Sequence, residues 1–118
     1  MGRLRSYLRV HRRRWQLTQE ELAFLIGYET ESIISRFERG ERTITLAVAA
    51  ACQPIFGVEP RELFPAIFES VEERVAQRMQ ELRDQLLQAA PTQKTLAKLE
   101  LLQEALGRLS ALRDEQEA

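Results

Sequence analysis

The chain contains few of the residues from which covalently or metal-stabilised proteins are built. It has one cysteine, Cys52, and one histidine, His11, among 118 residues. One cysteine excludes an internal disulfide framework, and these two side chains are too few for a His/Cys metal site. A Ser-His-Asp or Cys-His catalytic arrangement would depend on a single histidine inside an arginine cluster. We therefore expect no metal, no cofactor and no catalytic residues.

Glycine, proline and long apolar runs are also scarce. The chain has 5 Gly and 4 Pro, and much of the remainder is Leu, Ala, Glu, Gln and Arg. This composition predicts helix nearly throughout. No apolar run approaches the ~18 residues that a membrane span needs, and the basic N-terminus is not followed by an apolar signal core. The expectation is an all-α, cytoplasmic protein.

The formal net charge is −1, but the charge is unevenly distributed. Residues 1–42 hold 9 Arg and 6 Glu, a net charge of +3, whereas residues 43–118 hold 8 basic and 12 acidic residues, a net charge of −4. A near-neutral average therefore conceals a basic N-terminal part, which is compatible with an anionic partner.

Local signals predict five helices in the N-terminal half. Thr18 and Glu21 have the spacing of a capping box, and Gly27 is a helix end. Thr30 is the predicted N-cap of the next helix, and Pro54 is unfavourable inside the fourth. The predicted helices cover residues 3–15, 18–27, 30–39, 46–56 and 60–64.

From Pro65 the pattern changes to two longer amphipathic helices, over residues 66–89 and about 92–112, separated at Pro91. Each carries one apolar stripe at spacings of 3 or 4, which predicts an αα-hairpin. The stripes could serve only an intramolecular hairpin, but two such helices bury little alone, so we favour dimerisation. A trimer or tetramer stays open. The predicted dimerisation residues are Phe68, Val71, Val75, Met79, Leu82, Leu86, Leu99, Leu102, Leu106 and Leu109.

Residues 17–42 hold two short helices joined by a tight, glycine-containing turn, which is typical of a helix-turn-helix. At about 100° per residue, the second helix has one polar arc and one apolar arc, the latter with Ile33, Ile34 and Phe37. Short hydroxyls let a helix lie close to base edges, and arginine binds guanine O6 and N7. The predicted base-reading residues are Glu31, Ser32, Ser35 and Arg36. The predicted phosphate-binding residues, which flank this helix, are Thr18, Gln19, Arg39, Arg42 and Thr43.

These residues resemble the Cro/repressor (XRE-like) helix-turn-helix family. The resemblance covers about residues 4–64 and implies a compact five-helix, lambda-repressor-like DNA-binding domain that acts as a dimer on a palindromic operator. It also implies that Ala23, Ile34, Phe37 and Leu46 belong to the core. Gln16 departs from the family pattern, because glycine usually stands there and eases a left-handed conformation. The matching segments are Leu8-Arg9, Arg12, Leu17-Thr-Gln-Glu-Glu-Leu-Ala23, Gly27, Ile34-Ser-Arg-Phe-Glu-Arg-Gly40, Arg42, Phe56-Gly-Val58 and Glu62-Leu-Phe64.

The fold class predicted is therefore all-α, with a helix-turn-helix domain over residues 1–64 and a helical hairpin over 65–118. The favoured function is a sequence-specific regulator of transcription that binds double-stranded DNA, and repression is favoured over activation. The regulator is expected to act as a homodimer that forms through residues 66–112. The alternative is an interaction module, such as an antitoxin, whose C-terminal helices hold a protein partner. An enzyme is a remote third hypothesis, since no acid/base constellation is present.

Overall fold

The computed structural model describes residues 6–117, and the side chains of residues 6–115. Within these residues the chain is helical, without strands. The prediction of an all-α fold is confirmed, with five short helices before two long ones. The helices are α1 (Leu8–Arg14), α2 (Gln19–Ile26), α3 (Ser32–Glu38), α4 (Leu46–Phe56), α5 (Pro60–Leu63), α6 (Pro65–Leu87) and α7 (Gln93–Glu117).

The core of the N-terminal part is formed by one inward-facing group of side chains from each of the first five helices. The backbone N–H of Tyr7 donates to the carbonyl of Leu63 at 2.8 Å, which ties the start of α1 to α5. Because the short helices bury these apolar side chains together, none has to be stable alone. The buried core residues are Leu8, Leu22, Ala23, Ile34, Phe37, Val48, Ala49, Cys52, Leu63 and Phe64.

The loop after α1 contains a residue in an unfavourable conformation. Gln16 has a φ of 62°, and among the described residues it alone combines a side chain beyond hydrogen with positive φ. An L-residue loses about 1–2 kcal/mol in this region because its Cβ crowds the backbone. The expected left-handed position is confirmed. Of the predicted helix 3–15, residues 3–5, with Leu4, lie outside the described residues.

Helix α4 has the predicted length, but the burial of one of its residues, Leu46, differs from the prediction. It begins after Thr45, whose hydroxyl accepts from the backbone N–H of Val48 at 3.2 Å, and it continues through Pro54 to Phe56. The helix turns Val48, Ala49 and Cys52 inward. Leu46 is in the first turn, on another side, and is 86% exposed. The expectation that Leu46 belongs to the core was therefore wrong.

The chain divides into two compact units after Glu69. The second unit contains α6 from Ser70 onward and α7, joined by residues 88–92. Thr92 caps α7, since its hydroxyl accepts from the backbone N–H of Thr95 at 3.2 Å. No residue of α6 is buried, and Leu102, 6% exposed, is the buried apolar residue among the described side chains of α7.

Candidate nucleic-acid interface

Helix α2 is fixed at both ends by the residues predicted to do so. The backbone N–H of Glu21 donates to the Thr18 hydroxyl at 3.0 Å, and the N–H of Thr18 donates to the Glu21 carboxylate at 2.9 Å. The bond from the Thr18 backbone N–H, and then a hydrogen bond from the Thr18 side chain, lower the pKa of the Glu21 carboxyl. Gly27 ends the helix with a left-handed φ of 107°. The capping box and the glycine turn are thus confirmed, and they set where α3 can begin.

Helix α3 begins at Ser32, and its N-cap lies one residue later than predicted. Its N-cap is Glu31, which has helical backbone angles and no side-chain capping bond. The prediction that Thr30 caps this helix was wrong, because the Thr30 hydroxyl is hydrogen-bonded to the hydroxyl of Ser32 at 3.0 Å instead. The helix also ends at Glu38 rather than Arg39. Helix α3, which follows the tight turn after Gly27, is therefore about two helical turns long.

The two faces of α3 differ in burial as the helical spacing predicts. Ile34 and Phe37 are at most 1% exposed and belong to the core. Glu31, Ser32 and Arg36 are exposed. Since α3 is anchored by its apolar face, its polar face is held outward as a fixed surface.

A buried charged group anchors the end of α3. Arg12 Nε donates to Glu38 Oε2 at 2.6 Å, and Arg12 Nη2 donates to Glu38 Oε1 at 3.1 Å. The Arg12 and Glu38 side chains are only 11% and 3% exposed. Two further bonds complete the group: Arg12 Nη1 donates to the Leu17 carbonyl at 2.7 Å, and Gln19 Nε2 donates to Glu38 Oε1 at 3.0 Å. A bidentate, almost dry ion pair of this kind fixes geometry more than it adds stability.

This Arg12–Glu38 group joins α1, the following loop, α2 and α3, so it sets the orientation of α3 relative to α2. Sequence reasoning missed it. In the sequence Arg12 is one of three consecutive arginines at the end of α1, and no local pattern gives Glu38 a role. The partners are 26 positions apart, and no local signal connects them.

An open pocket of about 250 Å³ lies over this group. It brings together three predicted site residues, Gln19, Ser35 and Arg39, with the buried pair and with Arg9. Gln19 was predicted to bind phosphate, but its amide nitrogen is bonded to Glu38. Ser35, predicted to read bases, is half-buried at this edge.

The remaining predicted DNA contacts are exposed. Arg39 Nη2 is 3.0 Å from Glu41 Oε2 in a solvent-exposed ion pair. Arg42 and Thr43 lie exposed in the loop that follows α3. Within the described part of the chain, Arg36 and Arg42 make no ion pair with a carboxylate. Two guanidinium groups are thus available to an anion at the polar face of α3 and just after it.

Other candidates from the sequence take ordinary structural positions. Cys52 is fully buried, and burial raises the pKa of its thiol to about 11, so the thiol stays protonated at neutral pH. Cys52 is thus a core residue. Among the described residues, no three His, Cys, Asp or Glu side chains form a metal-binding group, and no helix is long and apolar enough to cross a membrane.

The predicted dimerisation residues are not equivalent in the structure. Leu102 is buried, whereas Val71, Val75 and Leu82 are 43–45% exposed. The other described members are half-buried, namely Phe68, Met79, Leu86, Leu99, Leu106 and Leu109. The single stripe predicted for α6 is therefore two sets of side chains with different exposure.

Two short helices joined by a tight turn, with the second fixed on one face and polar on the other, define a helix-turn-helix DNA-binding domain. Residues 12–63 match the model of a family described as helix-turn-helix. This match supports the resemblance of residues 12–63 to the Cro/repressor (XRE-like) helix-turn-helix family, and with it a DNA-binding regulator of transcription of that type. The chain has no match among curated proteins or among solved structures.

Proposed function

We propose that the chain is a homodimeric repressor that binds a specific double-stranded DNA operator with two half-sites. The domain over residues 1–64 binds DNA and residues 65–118 join two copies. The observation that carries this proposal is the fixed polar face of α3, which exposes Glu31, Ser32 and Arg36 while its opposite face is buried in the core.

The base-reading set is Glu31, Ser32, Ser35 and Arg36. Arg36 is exposed and makes no ion pair with a described residue, so its guanidinium can donate two hydrogen bonds to guanine O6 and N7. The short side chain of Ser32 lets the first turn of α3 approach the base edges, and the carboxylate of Glu31 accepts from cytosine N4. Ser35 contributes from the rim of the pocket.

The phosphate-binding set is Thr18, Gln19, Arg39, Arg42 and Thr43. Because the Gln19 side chain is bonded to Glu38, the contribution of Gln19 comes from its position at the positive N-terminal end of α2. Arg39 exchanges its exposed pairing with Glu41 for a phosphate, a small loss since exposed ion pairs contribute little. These contacts position the domain and do not select sequence.

Two linked domains are needed for tight binding. Residues 1–42 have a net charge of only +3, so a single domain has modest electrostatic affinity for DNA. Linking two domains makes the second contact intramolecular and raises the overall affinity. The dimer then contacts two half-sites about one helical turn apart, and an occupied operator excludes polymerase.

Selection of bound sequences from random duplex DNA tests this function. A two-half-site consensus with centres about 34–36 Å apart is the expected result. Arg36→Ala should relax selection at one base position and lose about 1–3 kcal/mol of discrimination. Arg42→Ala should weaken binding to all sequences alike and reduce the salt slope by about 1. Recovery of unselected DNA, or binding that does not respond to salt, would contradict the proposal.

A further inference from the structure

The outer face of α6 carries an apolar stripe that the described residues leave uncovered. Val71, Val75 and Leu82 are 44%, 45% and 43% exposed. With Arg78 they are spaced 4, 3 and 4 residues apart, which is the spacing of one coiled-coil seam. The half-buried residues Met79 and Leu86 lie beside this stripe, since they follow Val75 and Leu82 by four positions, and the half-buried Ala76 lies farther round the helix.

One flank of this seam carries two charged side chains of opposite sign, Arg74 and Glu81. Arg74 and Glu81 immediately precede Val75 and Leu82, so both lie on the same flank of the seam, two turns apart. Both are exposed, and neither makes an ion pair with another described residue. Arg74 and Arg78 line two open depressions on this face, of about 300 and 560 Å³, which extend from Val71 to Gln85.

We propose that this seam, defined by Val71, Val75, Arg78 and Leu82, pairs antiparallel with the same seam of a second copy of the chain. This inference rests on the proposed homodimer and names its contact and direction. The pairing is self-complementary, because each copy supplies both the apolar seam and the two flanking charges.

The charges decide the direction. In an antiparallel pair, equal flanks of the two seams face each other, so Arg74 of each copy meets Glu81 of the other in two symmetric ion pairs. Leu82 then packs against Val71, and Val75 against the aliphatic stem of Arg78. In a parallel pair Arg78 would face its own copy across the seam, and Arg74 would lose Glu81 as a partner. Like charges opposed at a seam are unfavourable, and this excludes the parallel arrangement.

The direction of pairing also sets how far apart the two α6 helices begin. The centre of the antiparallel pair lies between residues 76 and 77, so at 1.5 Å per residue the two Pro65 ends are about 35 Å apart along the helices. A parallel pair would place the two Pro65 ends side by side, about 10 Å apart.

Charge exchange in the full chain, without DNA, tests the pairing by sedimentation equilibrium. The wild type should be a dimer. Arg74→Glu and Glu81→Arg, each alone, oppose like charges twice and should raise the dissociation constant at least about tenfold. An equimolar mixture of the two variants should dimerise again, because both ion pairs re-form in the heterodimer. The double variant in one chain should dimerise as well.

Glu73→Arg is the matched control, since it makes the same change as Glu81→Arg on the opposite side of α6 and should leave the dissociation constant unchanged. A monomeric wild type, single variants that dimerise as the wild type does, or a mixture that stays monomeric would overturn the pairing. Salt-dependent binding of each variant to DNA is measured separately. Dimers that fail to bind DNA would refute the proposed function and leave the pairing standing. DNA binding without the charge-exchange pattern would refute the pairing and leave the proposed function standing.

Discussion

The residues up to Glu69 and those from Ser70 onward are both mainly helical, but they differ in how much of their apolar surface is buried. The first unit buries side chains such as Phe37 and Leu22 completely, whereas no residue of α6 is buried. Short helices that share a core obtain their stability from one another within a single chain. Long helices with exposed apolar stripes gain stability when those stripes are covered by another surface. The stability of the first unit should therefore depend on its core side chains, and the stability of the second unit should depend on protein concentration.

The largest effect is expected at Phe37, which is 1% exposed. Phe37→Ala should lower the free energy of unfolding by about 3–5 kcal/mol, because it removes a fully buried ring and leaves a cavity. Urea denaturation measures the change. Phe24→Ala removes the same ring from a site that is 81% exposed and should change stability by less than about 0.5 kcal/mol. Equal losses at both positions would show that the first unit has no defined core.

A somewhat smaller loss is expected at the Arg12–Glu38 pair. Arg12→Met leaves the Glu38 carboxylate, 3% exposed, without its countercharge and should cost about 3 kcal/mol. Arg13→Met, at the next and exposed position of α1, is the control and should be nearly neutral. The double variant Arg12→Met, Glu38→Leu should recover much of the loss, because no charge is then buried. A neutral single substitution would contradict the buried network.

The second unit should be sensitive to concentration. If α6 is stabilised by a second copy, its apparent free energy of unfolding should rise by about 1.4 kcal/mol for each tenfold increase in protein concentration. Thermal melts followed by circular dichroism measure this dependence. Val75→Glu should abolish it without changing the unfolding of the first unit, and Leu101→Glu, at a 57% exposed position of α7, should not. A wild-type melt that is independent of concentration would show that the two units are stabilised in the same way.

The smallest effect is expected in the loop after α1, where Gln16 has a φ of 62°. Gln16→Gly should stabilise the first unit by about 1 kcal/mol or less, since relief of the strained conformation is partly offset by the greater chain entropy of glycine. Gln53→Gly, at an exposed helical position of α4, is the opposite control and should destabilise by about 1 kcal/mol. A destabilising Gln16→Gly would mean that the glutamine side chain makes a compensating contact.

Much of the fold and part of the candidate site could be predicted because the signals are local. The Thr18–Glu21 capping box and the glycine at position 27 act within four residues of the helix ends that they define. The periodic spacing of Ile34 and Phe37 fixed which face of α3 is buried. The errors arose where one local signal competed with another, as at Thr30, whose hydroxyl could cap α3 but is bonded to Ser32.

The sequence by itself determined the order of the helices, the ends of α2 and the polar face of α3, since these follow from capping, backbone preferences and the 3.6-residue period. Only the tertiary structure decided which charged and apolar side chains are removed from water. It buried Arg12 with Glu38, exposed Leu46, and separated the stripe of α6 into half-buried and exposed sets. Burial depends on how distant segments meet, and a pair 26 residues apart leaves no trace in either local pattern.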